Sequence, residues 1–316
     1  MVVTPSGAEL LMLDDVVIKV HHPRTDPQAL RARVQLSAGR ACAAYLLAPT
    51  TPQVTCAPDG RLVTRWPRVD VPDPDVHHDP DAAELVWAVA ARLLAGLHRV
   101  DVSSRLGAAA ARLPEHGGLA RLDRAMARLR RLDPGGASRT ASILVVTAAA
   151  QRVLDDLARA TTGSGVGAAR GEGPARPRLG HGDWHLGQLG RLRQPDAADP
   201  CDGWRLLDVD DLGVGDPAWD LGRPAGFWAA GLLDDDVWST FVESYRSAGG
   251  PALPPGDPWP ALDLPARAAV VVAAVRELTR CAPHREDARS GAPHSADPHS
   301  ADTAVALVQA CARMSQ

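Results

Sequence analysis

Leu179-Gly180-His181-Gly182-Asp183-Trp184-His185-Leu186-Gly187-Gln188 is followed, across a hairpin, by Trp204-Arg205-Leu206-Leu207-Asp208-Val209-Asp210-Asp211. Two acidic segments joined in this way can face one another across a cleft. Phosphoryl transfer asks for little covalent chemistry from a protein: a carboxylate to orient and deprotonate the attacking hydroxyl, metal ligands, and a cation on the phosphates. Asp183 suits the base, and Asp208, which ends an apolar strand, suits the metal-binding carboxylate.

Working outward, the separation of Asp183 from the amide Gln188 equals that of the aspartate and asparagine in a kinase catalytic loop. The cation is supplied by one residue. Arginine carries nearly all the positive charge, and Lys19 is the one lysine of the sequence. It sits in Val17-Ile18-Lys19-Val20, a β-branched run that reads as a half-buried strand. A compact ammonium there is not interchangeable with a guanidinium fork. The sequence has no asparagine, so chemistry that wants an amide oxygen must take it from glutamine.

The chain has 316 residues, room for about two domains of roughly 150 residues. Its 34 basic and 38 acidic residues give a net charge of −4, without the basic stripe that a phosphate backbone needs, so nucleic acid is not expected as a partner. The apolar run Ala268 to Val275 is far short of the ~20 residues that span a bilayer. The start lacks a basic segment followed by an apolar one. The expectation is a cytoplasmic protein without membrane partners. Five cysteines without a CxxC pair suggest neither a disulfide framework nor a zinc knuckle.

Strands are expected at Glu9 to Leu13 and Val16 to Val20 around Asp14-Asp15, then a helix from the Thr25-Asp26-Pro27 start to about Ala38. Two more strands, Gln53 to Cys56 and Arg61 to Trp66, flank Asp59-Gly60. Pro67 to Pro80 reads as an extended connector and marks a domain boundary. Beyond it, apolar spacing predicts helices over about 81–99, 118–132 and 137–160. A glycine-rich loop at about 161–173 leads to a short β region over 178–211. Further helices follow at about 217–232, 235–248, 261–281 and 302–314. Ala282 to Ala301, with His284, His294 and His299, reads as a mobile polar loop rather than a metal site. The expected class is α+β, with a small β-rich lobe over 1–70 and a larger, mostly helical lobe over 71–316.

His181-Gly182-Asp183-Trp184-His185-Leu186-Gly187-Gln188, with Leu207-Asp208-Val209-Asp210-Asp211-Leu212-Gly213-Val214-Gly215-Asp216-Pro217-Ala218-Trp219-Asp220-Leu221, resembles the aminoglycoside phosphotransferase family, which shares the protein-kinase-like two-lobe fold. Val17-Ile18-Lys19-Val20 and Leu94-Ala95-Gly96-Leu97-His98 are supporting matches. The resemblance spans about residues 5 to 250 and is strongest over 179–222. It implies ATP and Mg2+ as cofactors, Asp183 as catalytic base, Gln188 and Asp208 as magnesium ligands, and Lys19 on the nucleotide phosphates. Gly7 is the glycine available for the nucleotide loop. His181 and His185 would shape the catalytic loop, Asp210 and Asp211 would be solvated or assist the metal, and Asp216 and Asp220 would form a turn and an anchor.

Three departures stand out. Gln188 replaces the usual asparagine. Almost nothing precedes Gly7. The helix from Thr25 to Ala38 lacks the glutamate that pairs with the lysine; Arg33 stands near its place, which leaves Lys19 to pair with another residue such as Glu9 or to be held by nucleotide alone.

The function these features imply is ATP-dependent phosphorylation of a hydroxyl on a small polar molecule, such as an aminoglycoside or amino sugar. Asp210, Asp211 and Glu243 would give an acidic rim suited to a cationic acceptor, and Trp184, Trp219 and Trp228 could stack on a sugar, although packing is their more ordinary use. Two alternatives remain at this point. One is a catalytically impaired kinase-like binding protein. The other is a metal-dependent hydrolase built on His181, Asp183, His185 and Asp208.

Overall fold

A computed structural model describes residues 1–4, 7–73, 79–102, 113–133, 135–162, 178–194, 201–280 and 298–314. Its first part is an antiparallel sheet. Strands β1 (Val2–Val3), β2 (Glu9–Leu13) and β3 (Val16–Val20) are followed by helix α1 (Pro27–Ser37), then by β4 (Thr55–Cys56) and β5 (Leu62–Pro67). The spatial order is β1-β2-β3-β5-β4. The β2–β3 register pairs Leu13 with Val16, leaving Asp14 and Asp15 as the turn. Asp14 takes φ 42, in the left-handed region that aspartate tolerates better than most residues.

Helix α1 begins where its cap residue dictates. The Asp26 carboxylate accepts from the backbone N–H groups of Gln28 (2.7 Å) and Ala29 (3.0 Å), and Pro27 opens the first turn. Leu30 and Val34, one turn apart, are fully buried.

Val69 and Asp70 form a short strand, β6, within the stretch expected to be an extended connector. After helices α2 (Pro80–His98), α3 (Gly118–Leu129) and α4 (Ala137–Thr162), the chain returns to strands β7 (Arg178–Gly180), β8 (Leu189–Leu192), β9 (Trp204–Leu206) and β10 (Gly213–Gly215). β6 pairs with β8 and β8 with β9, while β7 pairs with β10, all antiparallel. Helices α5 (Ala218–Ala229), α6 (Asp235–Ser247), α7 (Trp259–Arg280) and α8 (Pro298–Met314) complete the chain. The fold is therefore α+β, a small antiparallel sheet region followed by a mostly helical one.

The last helix starts at Pro298, inside the stretch expected as a loop, because proline at the first helical position is already preset for the turn. The rest of that expected loop, with His284 and His294, lies outside the described residues, as does most of the glycine-rich loop near 161–173.

The chain divides into two compact units. The first comprises 1–117, 177–220 and 239–253, and the second 118–176, 221–238 and 254–316. The first contains the sheet together with β7 to β10. In the second, Arg139 donates to the Leu278 carbonyl (2.8 Å), Arg267 bridges Asp156 (2.6 Å) and Asp263 (2.7 Å), and Trp228 stacks on Trp238 and Trp259. Trp228 is thus spent on packing. Among the described residues, no helix is long and apolar enough to cross a membrane.

Candidate active site

The site is built within the first unit. The loop after β7 is fixed by one carboxylate. Asp220, 3% exposed, accepts from the backbone N–H of His181 (2.6 Å) and of Gly182 (2.7 Å), one on each oxygen. His98, at the end of α2, places Nε2 2.9 Å from Asp220 Oδ2 and Nδ1 2.8 Å from the Tyr245 hydroxyl. That hydroxyl accepts from the Ala252 N–H, so its own hydrogen goes to His98 Nδ1, and the imidazole proton stays on Nε2 and faces Asp220. Burial alone would raise the Asp220 pKa; the hydrogen bond from His98, with the His116 and His181 rings nearby, holds it well below the ordinary carboxylate value.

Gly182 has φ 83, and a Cβ there would lie 2.2 Å from the Asp211 carbonyl oxygen and 2.6 Å from the Gly117 nitrogen. Only glycine fits both the backbone and the space. The facing segment is tied in by Gly117 N–H to Asp211 O (2.8 Å), and His116 Nε2 donates to Asp216 O (3.1 Å). This 114–117 segment escaped sequence reasoning, since Pro-Glu-His-Gly carries no catalytic spacing.

Asp183 follows Gly182 directly and is half-buried. Behind it, Trp184 is 3% exposed, stacked on Phe241 (5.6 Å between centroids) and edge-on to Trp87 (5.5 Å). Trp184 therefore anchors the loop by packing rather than facing an acceptor. Fully buried His181 donates from Nε2 to the Leu207 carbonyl (2.7 Å), which joins the loop to the residue before Asp208. His185 precedes the 3-10 turn Leu186–Gln188 and accepts at its carbonyl from the Gln188 N–H (2.7 Å). Gln188 in turn accepts at its carbonyl from the Leu207 N–H (2.8 Å), which sets it across the hairpin from Leu207 and next to Asp208. Asp216 accepts from the Ala218 N–H (3.0 Å), forming the turn into α5.

Asp208 adopts φ 57, left-handed for a residue with a side chain, a conformation that costs about 1 kcal/mol or more and gathers at functional sites. Its Oδ1 accepts from the Lys19 ammonium (2.7 Å) and from the Asp210 N–H (3.1 Å). Lys19 is 6% exposed and also contacts Asp210 Oδ2 (2.8 Å). Burial alone would depress the Lys19 pKa, but Asp208 and Asp210 outweigh it and hold the ammonium above its ordinary value. Burial pushes the Asp210 carboxyl up, and the Lys19 charge, with His21 close beside it, brings it well below the ordinary value.

Glu9 is not the partner of Lys19. The register pairs Lys19 with Leu10 and Glu9 with Val20, so the two side chains leave opposite faces of the sheet, and Glu9 instead accepts from Arg61 (2.6 Å). Arg33 donates from Nε to the Leu212 carbonyl (2.7 Å), bracing the segment after Asp211. Gly7, with φ 81, donates its N–H to Thr4 O (2.9 Å), and a Cβ there would meet His22 at 3.0 Å. A strand does precede it, since Val2 and Val3 pair with Leu10 and Glu9.

Lys19, Asp208, Asp210, the 181–183 loop and Gln188 are thus brought together from separate parts of the sequence. Of the two remaining aromatic candidates for an acceptor, Trp219 lies one residue before the Asp220 clamp, and Trp228 belongs to the second unit.

No family model matches the sequence, and no curated protein matches it. Solved structures do. A putative aminoglycoside phosphotransferase from Ralstonia eutropha aligns with 98% of this chain and 92% of its own at 12% identity and TM-score 0.56. An aminoglycoside 2'-phosphotransferase in its GDP complex covers 97% and 89% at 12% identity and TM-score 0.54. A choline/ethanolamine kinase family protein from Mesorhizobium loti covers 97% and 84% at 16% identity and TM-score 0.50. These structural neighbours span nearly the whole chain and show that it has their fold.

Proposed function

We propose that the chain is an ATP-dependent phosphotransferase that moves a γ-phosphate to a hydroxyl of a small polar molecule, an aminoglycoside, amino sugar or similar acceptor. The observation that carries this reading is the Lys19 ammonium, 2.7 Å from Asp208, beside a loop that presents Asp183. Nucleotide-bound neighbours of the same fold, the GDP complex above and an AMP-bound spectinomycin phosphotransferase (12% identity, TM-score 0.53), support a nucleotide at this site.

In this reading the region 1–70 binds nucleotide, with Gly7 and Lys19 on the phosphates, and 71–316 supplies the catalytic and acceptor residues. The acceptor hydroxyl donates its proton to the Asp183 carboxylate as its oxygen bonds to the γ-phosphorus, and the bond from that phosphorus to the β–γ bridging oxygen breaks. Two of the three Lys19 N–H groups are taken by Asp208 and Asp210, leaving the third for a phosphate oxygen. Asp208 and Gln188 would hold magnesium, which when bound supplies positive charge against the transferring phosphoryl group. The fit is supported by the contacts on Asp208, which fall on Oδ1 and leave Oδ2 for a ligand, and by the position of Gln188 across the hairpin. His181 and His185 shape the loop rather than react.

Against the hydrolase alternative, no group of three or more His, Cys, Asp or Glu side chains among the described residues is placed to hold a metal ion. The impaired-kinase alternative draws on the absence of a glutamate from α1, where Arg33 turns to the Leu212 carbonyl. Calorimetric titration of ATP with magnesium into wild type and Asp208→Ala decides among them. Magnesium-dependent binding that disappears in the variant, with phosphate transfer to one of a panel of amino sugars and aminoglycosides, supports the proposal. Binding without transfer to any alcohol favours the impaired kinase, and no nucleotide binding refutes both.

A further inference from the structure

The β3–β5 register pairs Lys19 with Thr64, so Lys19, His21, Thr64 and Trp66 leave the same face of the sheet. Trp66, Thr64 and His21 are linked in series, and His21 stands against Asp210. Trp66 Nε1–H donates to Thr64 Oγ1 (2.8 Å), which lies 2.8 Å from His21 Nε2, and His21 Nδ1 lies 3.3 Å from Asp210 Oδ1. Thr64 and His21 are completely buried. The Thr64 hydroxyl hydrogen therefore needs an acceptor inside the protein, and His21 Nε2 is the one in reach. That fixes the proton of the imidazole on Nδ1, facing Asp210. Oδ2 of Asp210 is then taken by Lys19 and Oδ1 faces His21 Nδ1 at 3.3 Å, a close approach short of a hydrogen bond, whereas Asp208 keeps one oxygen outside these contacts.

We infer that Asp210 is a positioning residue for Lys19, aligned by the buried Trp66–Thr64–His21 chain, and that it takes the place of the absent helix glutamate instead of binding metal. The inference rests on the phosphotransferase reading. Asp208 alone would hold the ammonium by one contact and let it swing. Asp210 supplies the second, and His21, itself held by Thr64, stands 3.3 Å from its other oxygen and limits its movement. Arg33, where a glutamate is expected, is turned to the Leu212 carbonyl.

The test uses the full chain and ATP as probe, by calorimetry, in magnesium and again in EDTA. Asp210→Asn is expected to weaken ATP about tenfold or more under both conditions, as does Lys19→Ala, while the double variant binds no more weakly than Lys19→Ala alone. In turnover the loss appears in KM for ATP more than in kcat. His21→Phe keeps the ring and removes the donor; it should weaken ATP severalfold, and it serves if Asp210→Asn fails to fold. A loss confined to magnesium would make Asp210 a metal ligand and overturn the inference, as would fully additive losses.

A second readout needs no nucleotide. Lys19 is the one lysine, so amine acylation followed by peptide mass mapping reports on it alone once the N-terminal peptide is set aside. Asp210→Asn should accelerate acylation of Lys19 about tenfold; an unchanged rate overturns the contact. A wild type that binds neither ATP nor GTP overturns the kinase reading and this role with it, while the acylation rate still reports whether the pairing is present.

Discussion

Replacing Asp220 by asparagine tests the loop clamp directly. The change is isosteric, so packing around α5 is kept. The carboxylate accepts three hydrogen bonds on two oxygens, from His181 N–H, Gly182 N–H and His98 Nε2–H. An amide has one oxygen. In its less costly orientation the oxygen takes the His181 and His98 donors, and the Gly182 N–H faces an NH2 group. One orphaned buried donor costs about 1–3 kcal/mol. The two surviving bonds lose their charge assistance, about 1 kcal/mol each. The expected loss is about 3–5 kcal/mol at pH 7, the range in which broken buried pairs fall. Urea denaturation followed by tryptophan fluorescence measures it, and hydrogen exchange at His181 and Gly182 locates it. The pH dependence has a defined sign. The folded pKa of Asp220 lies below its ordinary 3.8, so its contribution is full above 3.8 and lost as the pH falls below that value. The difference between wild type and variant should shrink over that acid window. A loss under about 1 kcal/mol at pH 7, or exchange at Gly182 as slow as in wild type, would refute the clamp.

Three other outcomes are expected. Asp183→Ala should lose at least ~100-fold in turnover with nucleotide affinity retained, and an unchanged rate removes Asp183 from the chemistry. Gly182→Ala adds a Cβ 2.2 Å from the Asp211 carbonyl oxygen at a positive φ, so urea denaturation should show a loss of about 2–4 kcal/mol. Burial pushes the Cys42 and Cys311 thiols up to about 12; iodoacetamide at pH 8 should alkylate exposed Cys56 in the folded protein and reach these two only in urea, as peptide mass mapping will show.

The β2–β3 hairpin was legible to the residue, because alternating apolar residues flank an Asp-Asp turn that fixes the register. The helix at Pro27 was legible from its cap. Val69–Asp70 was not, since two residues in a proline-rich stretch show no period and pair only because β8 lies beside them. The likeness of fold was legible from the 181–188 and 207–221 motifs, whose short loops are set by local glycines and aspartates. The partner of Lys19 was not. Glu9 is near in sequence, but a period of two puts it on the wrong face, while Asp210 arrives from the far end of a long-range hairpin. Face, rather than proximity, decided the pairing. The role of His21 was equally hidden, because it depends on a buried threonine brought alongside by β5.

Among the described residues, every non-glycine position with positive φ is an aspartate: Asp14, Asp202 and Asp208. Asparagine is the usual alternative there, and this sequence has none. The consequence concerns ageing. Asparagine in mobile turns deamidates, and its absence removes that route of decay from the whole chain. Aspartate ages more slowly, by isomerising through a cyclic imide, which forms most readily when glycine follows. Asp202-Gly203 and Asp59-Gly60 are therefore the places where stored protein should accumulate isoaspartate. Asp208 is followed by branched Val209, 2% exposed, which hinders ring closure. Wear should thus fall on the turns and spare the carboxylate that touches Lys19.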